Sequence, residues 1–147
     1  MRIVLQRVSH ASVNVAGTRI ADIGQGLLLL VGIASGDSDV DLARTASKIV
    51  NLRIFEDEAH KMNRSLRDIE GEVLAVSQFT LYADVSKGRR PSFIDAAPPE
   101  LAAPLFDAFV RALKSEGVEV QTGEFGAKMA VELENDGPVT LTLEVAA

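Results

Sequence analysis

Ser77-Gln78-Phe79-Thr80-Leu81 sets polar side chains into a stretch that is almost wholly apolar from Val73 onward. Such a break either caps a strand end or lines a pocket. Thr80 is the nucleophile by residue type, but a hydroxyl needs an activating base, and this run holds neither a histidine nor an acid. The second unusual run is Asn135-Asp136-Gly137-Pro138-Val139-Thr140. Glycine there can supply a positive φ and proline fixes its own, so by itself the run reads as a turn between strands.

Other routes to chemistry are thin. His10 and His60 fall in an expected turn and in a charged loop, without the H-x-x-x-H or H-E-x-x-H spacing that would place them on one metal. They read as surface residues. A Ser-His-Asp triad can be assembled on paper from Ser77, either histidine and an aspartate, as it can in most sequences, because triads are defined by geometry. The absence of cysteine removes thiolate zinc sites, iron–sulfur clusters, cysteine nucleophiles and disulfides. Neither a metal nor a cofactor is expected. Gly24-Gln25-Gly26 lacks the third glycine of a dinucleotide fingerprint and precedes a strand instead of a helix, so it reads as a tight turn. No phosphate-binding loop pattern is present, and Gly32-Ile33-Ala34-Ser35-Gly36 places its serine one position late for a nucleophile elbow.

The elements that must position these residues follow from periodicity. Residues 2–8 and 11–15 alternate and are β-rich, which predicts a hairpin turning at Ser9-His10. After a turn at Gly17 and a strand over 19–23, the unbroken apolar run 27–33 predicts a central strand buried on both faces. Asp37 or Ser38 is the expected N-cap of a first helix ending near Arg53, with Val40, Ala43, Ala46, Ile49 and Val50 inward. Residues 56–71 read mostly as loop with Met62 tucked inward, and residues 72–78 as a strand. The connection 83–97 is longer than usual for a compact domain, which marks it as a candidate site loop. Pro98-Pro99-Glu100 opens a second helix whose apolar face is Leu101, Leu105, Ala108, Phe109, Ala112 and Leu113, stopped at Gly117. Three closing strands, 118–122, 128–135 and 139–145, complete an α/β chain with mixed sheets and two main helices.

A length of 147 residues, 47% hydrophobic and 24% charged, fits one folded domain over 1–147. The longest apolar stretch, Leu27 to Val31, is far short of the ~20 residues of a membrane span, and the start shows no secretory signal. A cytoplasmic protein is expected. The net charge of −6 argues against coating nucleic acid in general. It conceals an asymmetry, since Arg2, Arg7 and Arg19 are the only charged residues before Asp22, Lys87-Gly88-Arg89-Arg90 forms a basic knot, and beyond Lys128 the charges are all acidic.

Taken together, Ser77-Gln78-Phe79-Thr80-Leu81, Lys87-Gly88-Arg89-Arg90-Pro91-Ser92-Phe93 and Asn135-x-Gly137-Pro138-Val139-Thr140 resemble the D-aminoacyl-tRNA deacylases. The likeness runs the whole chain through Gln6-Arg7-Val8, Ala11-Ser12-Val13, Gly24-x-Gly26-Leu27-Leu28, Arg53-Ile54-Phe55, Lys61-Met62-Asn63 and Gln121-Thr122-Gly123 before Met129. It departs mildly at Ala83 and at Gly126-Ala127-Lys128.

The resemblance implies a partly barrel-like fold and a cytoplasmic homodimer with its active site at the subunit interface. The implied reaction is hydrolysis of the ester of D-aminoacyl-tRNA, with glycyl-tRNA also a substrate. It implies further that the Gly137-Pro138 bond is cis and reaches into the partner's site to reject L-residues. Ser77, Gln78, Phe79 and Thr80 would form the catalytic wall, with backbone N–H groups near Phe79 and Thr80 holding the ester carbonyl. Leu81, Met129, Gly137 and Pro138 would contact the substrate, and Lys87, Arg89, Arg90 and Arg7 the phosphates of the acceptor end. No membrane or DNA partner is expected. Without a base near Thr80, water attack assisted by the tRNA 2′-hydroxyl is the favoured chemistry. The alternatives are a non-catalytic RNA-end or small-ligand binding protein on the same scaffold and an ordinary esterase.

Overall fold

In a computed structural model that describes residues 1–146, the chain runs β1 (Arg2–Val15), β2 (Thr18–Ile23), β3 (Gly26–Gly32), α1 (Leu42–Asn51), β4 (Phe55–Glu56), β5 (Met62–Arg64), β6 (Glu72–Ser77), α2 (Pro99–Ser115), β7 (Glu119–Thr122) and β8 (Ala130–Glu144). The main sheet has the order β2-β1-β3-β6-β7, and β8 pairs with β1. β3 is antiparallel to β1 and parallel to β6. Its unbroken apolar run has a direct cause, because both faces are covered. Leu27, Leu29 and Val31 pack with Ile49 and Val50 of α1 and with Phe106, Phe109 and Leu113 of α2, while Leu28 joins Val8, Val13, Ile23, Leu74 and Val76 in a second cluster. The ends of the sheet also meet: the Gln121 side chain of β7 accepts from Asp22 N–H and donates to Asp22 C=O of β2, each at 2.8 Å. This bridge gives the sheet its partly barrel-like closure and accounts for the glutamine of Gln121-Thr122-Gly123.

Several expectations are corrected. The hairpin at Ser9-His10 is a single strand, β1, which pairs with β8 from Arg2↔Glu144 to Asn14↔Ala130. Irregularities around Val8 shift the register there, and a bulge of this kind breaks the alternation that made the sequence look like a turn. The two last strands are likewise one strand, β8. Between Gln6↔Thr140 and Val8↔Asn135 its residues 136–139 bulge outward opposite Arg7. The first helix is capped by Asp41, whose carboxylate accepts from Arg44 N–H at 2.9 Å. Asp37, in a 3₁₀ turn ahead of it, instead accepts from Ala34 N–H at 2.7 Å and pairs with the Met1 ammonium at 2.6 Å. With the helix starting at Leu42, Thr45 is buried and Ala43 is exposed. On α2, Ala102, Phe106 and Val110 join Phe109 and Leu113 in the buried face, whereas Leu101 is 58% exposed.

Residues 56–71 contain the small β4–β5 hairpin, held by polar side chains. The Asp57 carboxylate accepts from Ala59 N–H, Lys61 N–H and Asn63 Nδ2, and Arg53 donates to both Asn63 oxygens. These bonds, foremost that from Asn63, hold the Asp57 carboxyl below its ordinary range. Met62 stands on this hairpin 51% exposed and not tucked inward, because no core lies beneath so short a ribbon. Among the described residues no helix is long and apolar enough to cross a membrane.

Candidate active site

β6 ends at Ser77, and Gln78 turns the chain, donating its N–H to Val31 C=O at 2.8 Å, into a 3₁₀ turn over Phe79–Tyr82. The first N–H groups of such a turn lack intrahelical partners. Gln78 supplies no side-chain cap, and among the described residues Phe79 N–H and Thr80 N–H have no hydrogen-bond partner. The turn borders a cavity of about 360 Å³ lined by Ser77, Gln78, Phe79 and Met129 together with Ile33, Ala97, Ala102 and Phe125. The geometry combines an apolar recess with donors at its edge, the arrangement that stabilises a developing oxyanion. Among the described residues, the hydrogen-bond partner of Thr80 Oγ1 is Gln78 Nε2, and no histidine or carboxylate bonds to it. Thr80 and Leu81 lie on the turn without lining the cavity.

Met129 reaches the cavity across Gly123, where an added Cβ would stand 2.5 Å from the Met129 sulfur. Glycine at that position leaves the space the thioether occupies, which explains its place in Gln121-Thr122-Gly123. Sequence reasoning missed Phe125 and the small residues Gly126 and Ala127, which also line the cavity. The available signal was the pair of small residues Gly126-Ala127 shortly before Met129.

Gly137 and Pro138 are absent from the cavity wall of their own chain. Both are exposed at the crest of the β8 bulge, and their peptide bond is cis. Polar bonds shape this crest from both sides. Asn135 Oδ1 accepts from Val139 N–H at 2.7 Å, and Asn135 Nδ2 donates to Thr140 Oγ1 at 2.9 Å, which accounts for the outer residues of Asn135-x-Gly137-Pro138-Val139-Thr140. Beneath it lies Arg7. Expected among the phosphate contacts, Arg7 is only 4% exposed and donates to Asp136 C=O at 2.8 Å and Ile54 C=O at 2.7 Å. A guanidinium so enclosed and bonded to two carbonyls supports the bulge from beneath. Ile54, which supplies the carbonyl, immediately precedes β4, and β4 places Glu56 3.9 Å from Arg7 Nη2.

Lys87, Arg89 and Arg90 are exposed on the connection 83–97. The ends of this loop are tied down: Asp84 and Ser92 exchange backbone hydrogen bonds of 2.8 Å, and Ala97 N–H donates to Ile33 C=O at 2.9 Å. Ser86 holds the Asp84 carboxyl below its ordinary range through hydrogen bonds. Phe93 of the loop meets Phe79 edge-on, with ring centroids 5.0 Å apart. The loop that carries the basic knot is therefore tied at its base and packs through Phe93 on the 3₁₀ turn. At the other end of the 3₁₀ turn, burial pushes the Tyr82 hydroxyl up, with Asp37 and Glu144 adding to the rise and Arg2 opposing it. Among the described residues no cluster of His, Cys, Asp and Glu could hold a metal ion.

Comparison with known proteins bears on this geometry directly. The family model described as D-Tyr-tRNA(Tyr) deacylase matches residues 4–144. A D-aminoacyl-tRNA deacylase of Thermomicrobium roseum is 62% identical over 146 residues, covering 99% of this chain and 95% of that protein. One of a Roseiflexus species is 60% identical over 146 residues, covering 99% and 94%. Among solved structures, the c-Myc DNA Unwinding Element Binding Protein superposes with a TM-score of 0.92 at 43% identity over 100% of both chains. A probable eukaryotic D-amino acid tRNA deacylase shares the fold, with a TM-score of 0.83 at 21% identity over 97% of each chain. With its 3₁₀ turn, cavity and Gly-Pro bulge on this fold, and a family match spanning nearly its full length, the chain belongs to the D-aminoacyl-tRNA deacylase family.

Proposed function

We propose that the chain, acting as one domain in the cytoplasm, hydrolyses the ester joining a D-amino acid or glycine to the terminal ribose of tRNA. Water attacks the ester carbonyl carbon. Phe79 and Thr80 N–H receive the oxyanion, the carbon–oxygen bond to the ribose breaks, and the ribose oxygen takes up a proton as the free amino acid leaves. The tRNA 2′-hydroxyl assists the attack, since the wall formed by Ser77, Gln78, Phe79 and Thr80 offers no base. The observation that carries this reading is a cavity bordered by a 3₁₀ turn whose Phe79 and Thr80 amides are unpartnered among the described residues, in a chain of this family.

Selectivity is by rejection. In a homodimer, Gly137 and Pro138 of the second copy stand at the cavity mouth opposite Phe79, with Leu81 and Met129 completing the substrate surface. Backbone there passes the hydrogen of a D-residue or glycine and collides with an L side chain. The exposed crest of the bulge and the exposed Phe79, Phe93 and Ile94 support such a contact between copies. Side-by-side assays on D-Tyr-tRNA, L-Tyr-tRNA and glycyl-tRNA test the proposal. Catalytic consumption of the D- and glycyl-substrates with the L-substrate intact is expected, and equal hydrolysis of D and L overturns chiral rejection.

A binding-only reading, for an RNA end or small ligand, draws on one observation, the engagement of Thr80 Oγ1 by Gln78 with no acid or base beside it. Stoichiometric binding without turnover in the same assay would establish it. Lys87, Arg89 and Arg90 are assigned to acceptor-end phosphates. The Arg89→Ala/Arg90→Ala double variant is expected to weaken productive tRNA binding and flatten the salt dependence of kcat/KM by roughly one to two units of log–log slope, since each lost phosphate contact releases fewer counterions. An unchanged slope with a folded protein places the tRNA contact elsewhere.

A further inference from the structure

The 3₁₀ turn Phe79–Tyr82 must hold its amides still, and among the described residues the side-chain bond made within it runs from Gln78 to Thr80. Its footing lies outside the turn. Arg2 of β1 has Gly32 of β3 as cross-strand partner on one side and Glu144 of β8 on the other. Glycine at 32 lets the turn descend onto the sheet, since an added Cβ would stand 2.9 Å from Leu81 Cβ and 3.1 Å from Gln78 C=O. Over that gap Arg2 makes several contacts at once. Its Nη1 donates to Leu81 C=O at 2.6 Å, its Nε bonds to the Glu144 carboxylate, and its guanidinium lies 4.7 Å from the Tyr82 ring centre. A flat guanidinium satisfies all of these together, which an ammonium cannot do.

We infer that Arg2, oriented by Glu144, is a positioning residue that clamps the Phe79–Tyr82 turn on the sheet and so fixes the Phe79 and Thr80 amides against the reacting carbonyl. This inference rests on the proposed deacylase reading. An ordinary surface ion pair contributes little, and Arg19, which pairs with Asp22 at 3.5 Å and Glu132 at 3.7 Å away from the turn, provides the internal comparison. The clamp predicts a loss in kcat with little change in KM, because apart from Phe79 the cavity walls, and the basic loop assigned to the tRNA, lie off the turn and stay in place.

The test uses the full chain and D-Tyr-tRNA. Arg2→Met, which keeps an apolar stem under Tyr82, is expected to lower kcat about ten- to a hundredfold, as small misplacements of catalytic groups do, with KM within about twofold by the same reasoning. Arg2→Lys should not restore it, Glu144→Gln should fall between, and Arg19→Met should match the wild type. Tyr82 is the only tyrosine and there is no tryptophan, so acrylamide quenching of tyrosine emission reads this turn alone and should rise in Arg2→Met. Unchanged kcat in Arg2→Met, or full rescue by lysine, overturns the clamp while leaving the deacylase reading intact. If Arg2→Met does not fold, Glu144→Gln decides by the same split of kcat from KM. Absence of turnover by the wild type overturns both.

Discussion

Replacing the terminal ribose of D-Tyr-tRNA by its 2′-deoxy counterpart is expected to cost about 10²–10⁴-fold in turnover, the usual worth of acid–base assistance. Thr80→Val, by contrast, is expected to stay within about tenfold, roughly 1.4 kcal/mol on the barrier. The reason for the difference is local. Thr80 Oγ1 is engaged by Gln78 Nε2, and among the described residues no histidine or carboxylate bonds to it, so no side-chain base is placed to take its proton. The backbone N–H groups assigned to the oxyanion are kept by valine. Single-turnover measurements on the paired substrates decide the matter. A covalent acyl group trapped on Thr80, or undiminished hydrolysis of the deoxy substrate, would end the substrate-assisted mechanism.

Gly137→Ala is expected to lower kcat/KM for D-Tyr-tRNA by about a hundredfold or more, on the scale that displacement of positioned groups produces and equal to roughly 2.7 kcal/mol. Gly137 has a φ of 140°, which L side chains rarely adopt, and a Cβ there would stand 2.8 Å from Val139 Cγ2, 3.0 Å from Val139 N and 3.1 Å from Arg7 Nη2. Relief requires the crest to move off Arg7, and with it the backbone assigned to face the chiral centre. The fold should survive, because the crest is exposed and the buried clusters do not include it. Wild-type kcat/KM in a folded Gly137→Ala protein would remove the bulge from the site.

Some of this molecule is legible in residue order because the forces that set it are local or one-dimensional. The run from Leu27 is apolar at every position, and only a strand covered on both faces tolerates that. Pro99 at the first position of α2 and the closing Gly117 mark a helix by backbone chemistry alone. The anchored loop with its basic knot could be marked from its length. Ser77-Gln78-Phe79-Thr80-Leu81 announces itself as a break in an apolar pattern, and the order of short motifs carries the family likeness.

Other features are decided by partners far away in the chain. Whether residues 130–144 make two strands or one bulged strand depends on β1, which pairs with both ends of β8 and leaves Arg7 opposite the bulge. Periodicity registers such a bulge as a turn, since both interrupt alternation. Arg7 looks like any surface cation until Ile54 and Asp136 offer it carbonyls that remove it from water. Leu101 fits a helical stripe, yet it lies exposed while Ala102 is buried, because the direction of a helix face is set by what it packs against. Residue type and spacing sufficed for the central apolar strand, the two helices, the family and the two motifs, because those depend on local chemistry and order. Tertiary structure alone decided that the motifs sit apart on one chain and which side chains hold each in place, because cross-strand pairing and burial are properties of contacts between distant residues.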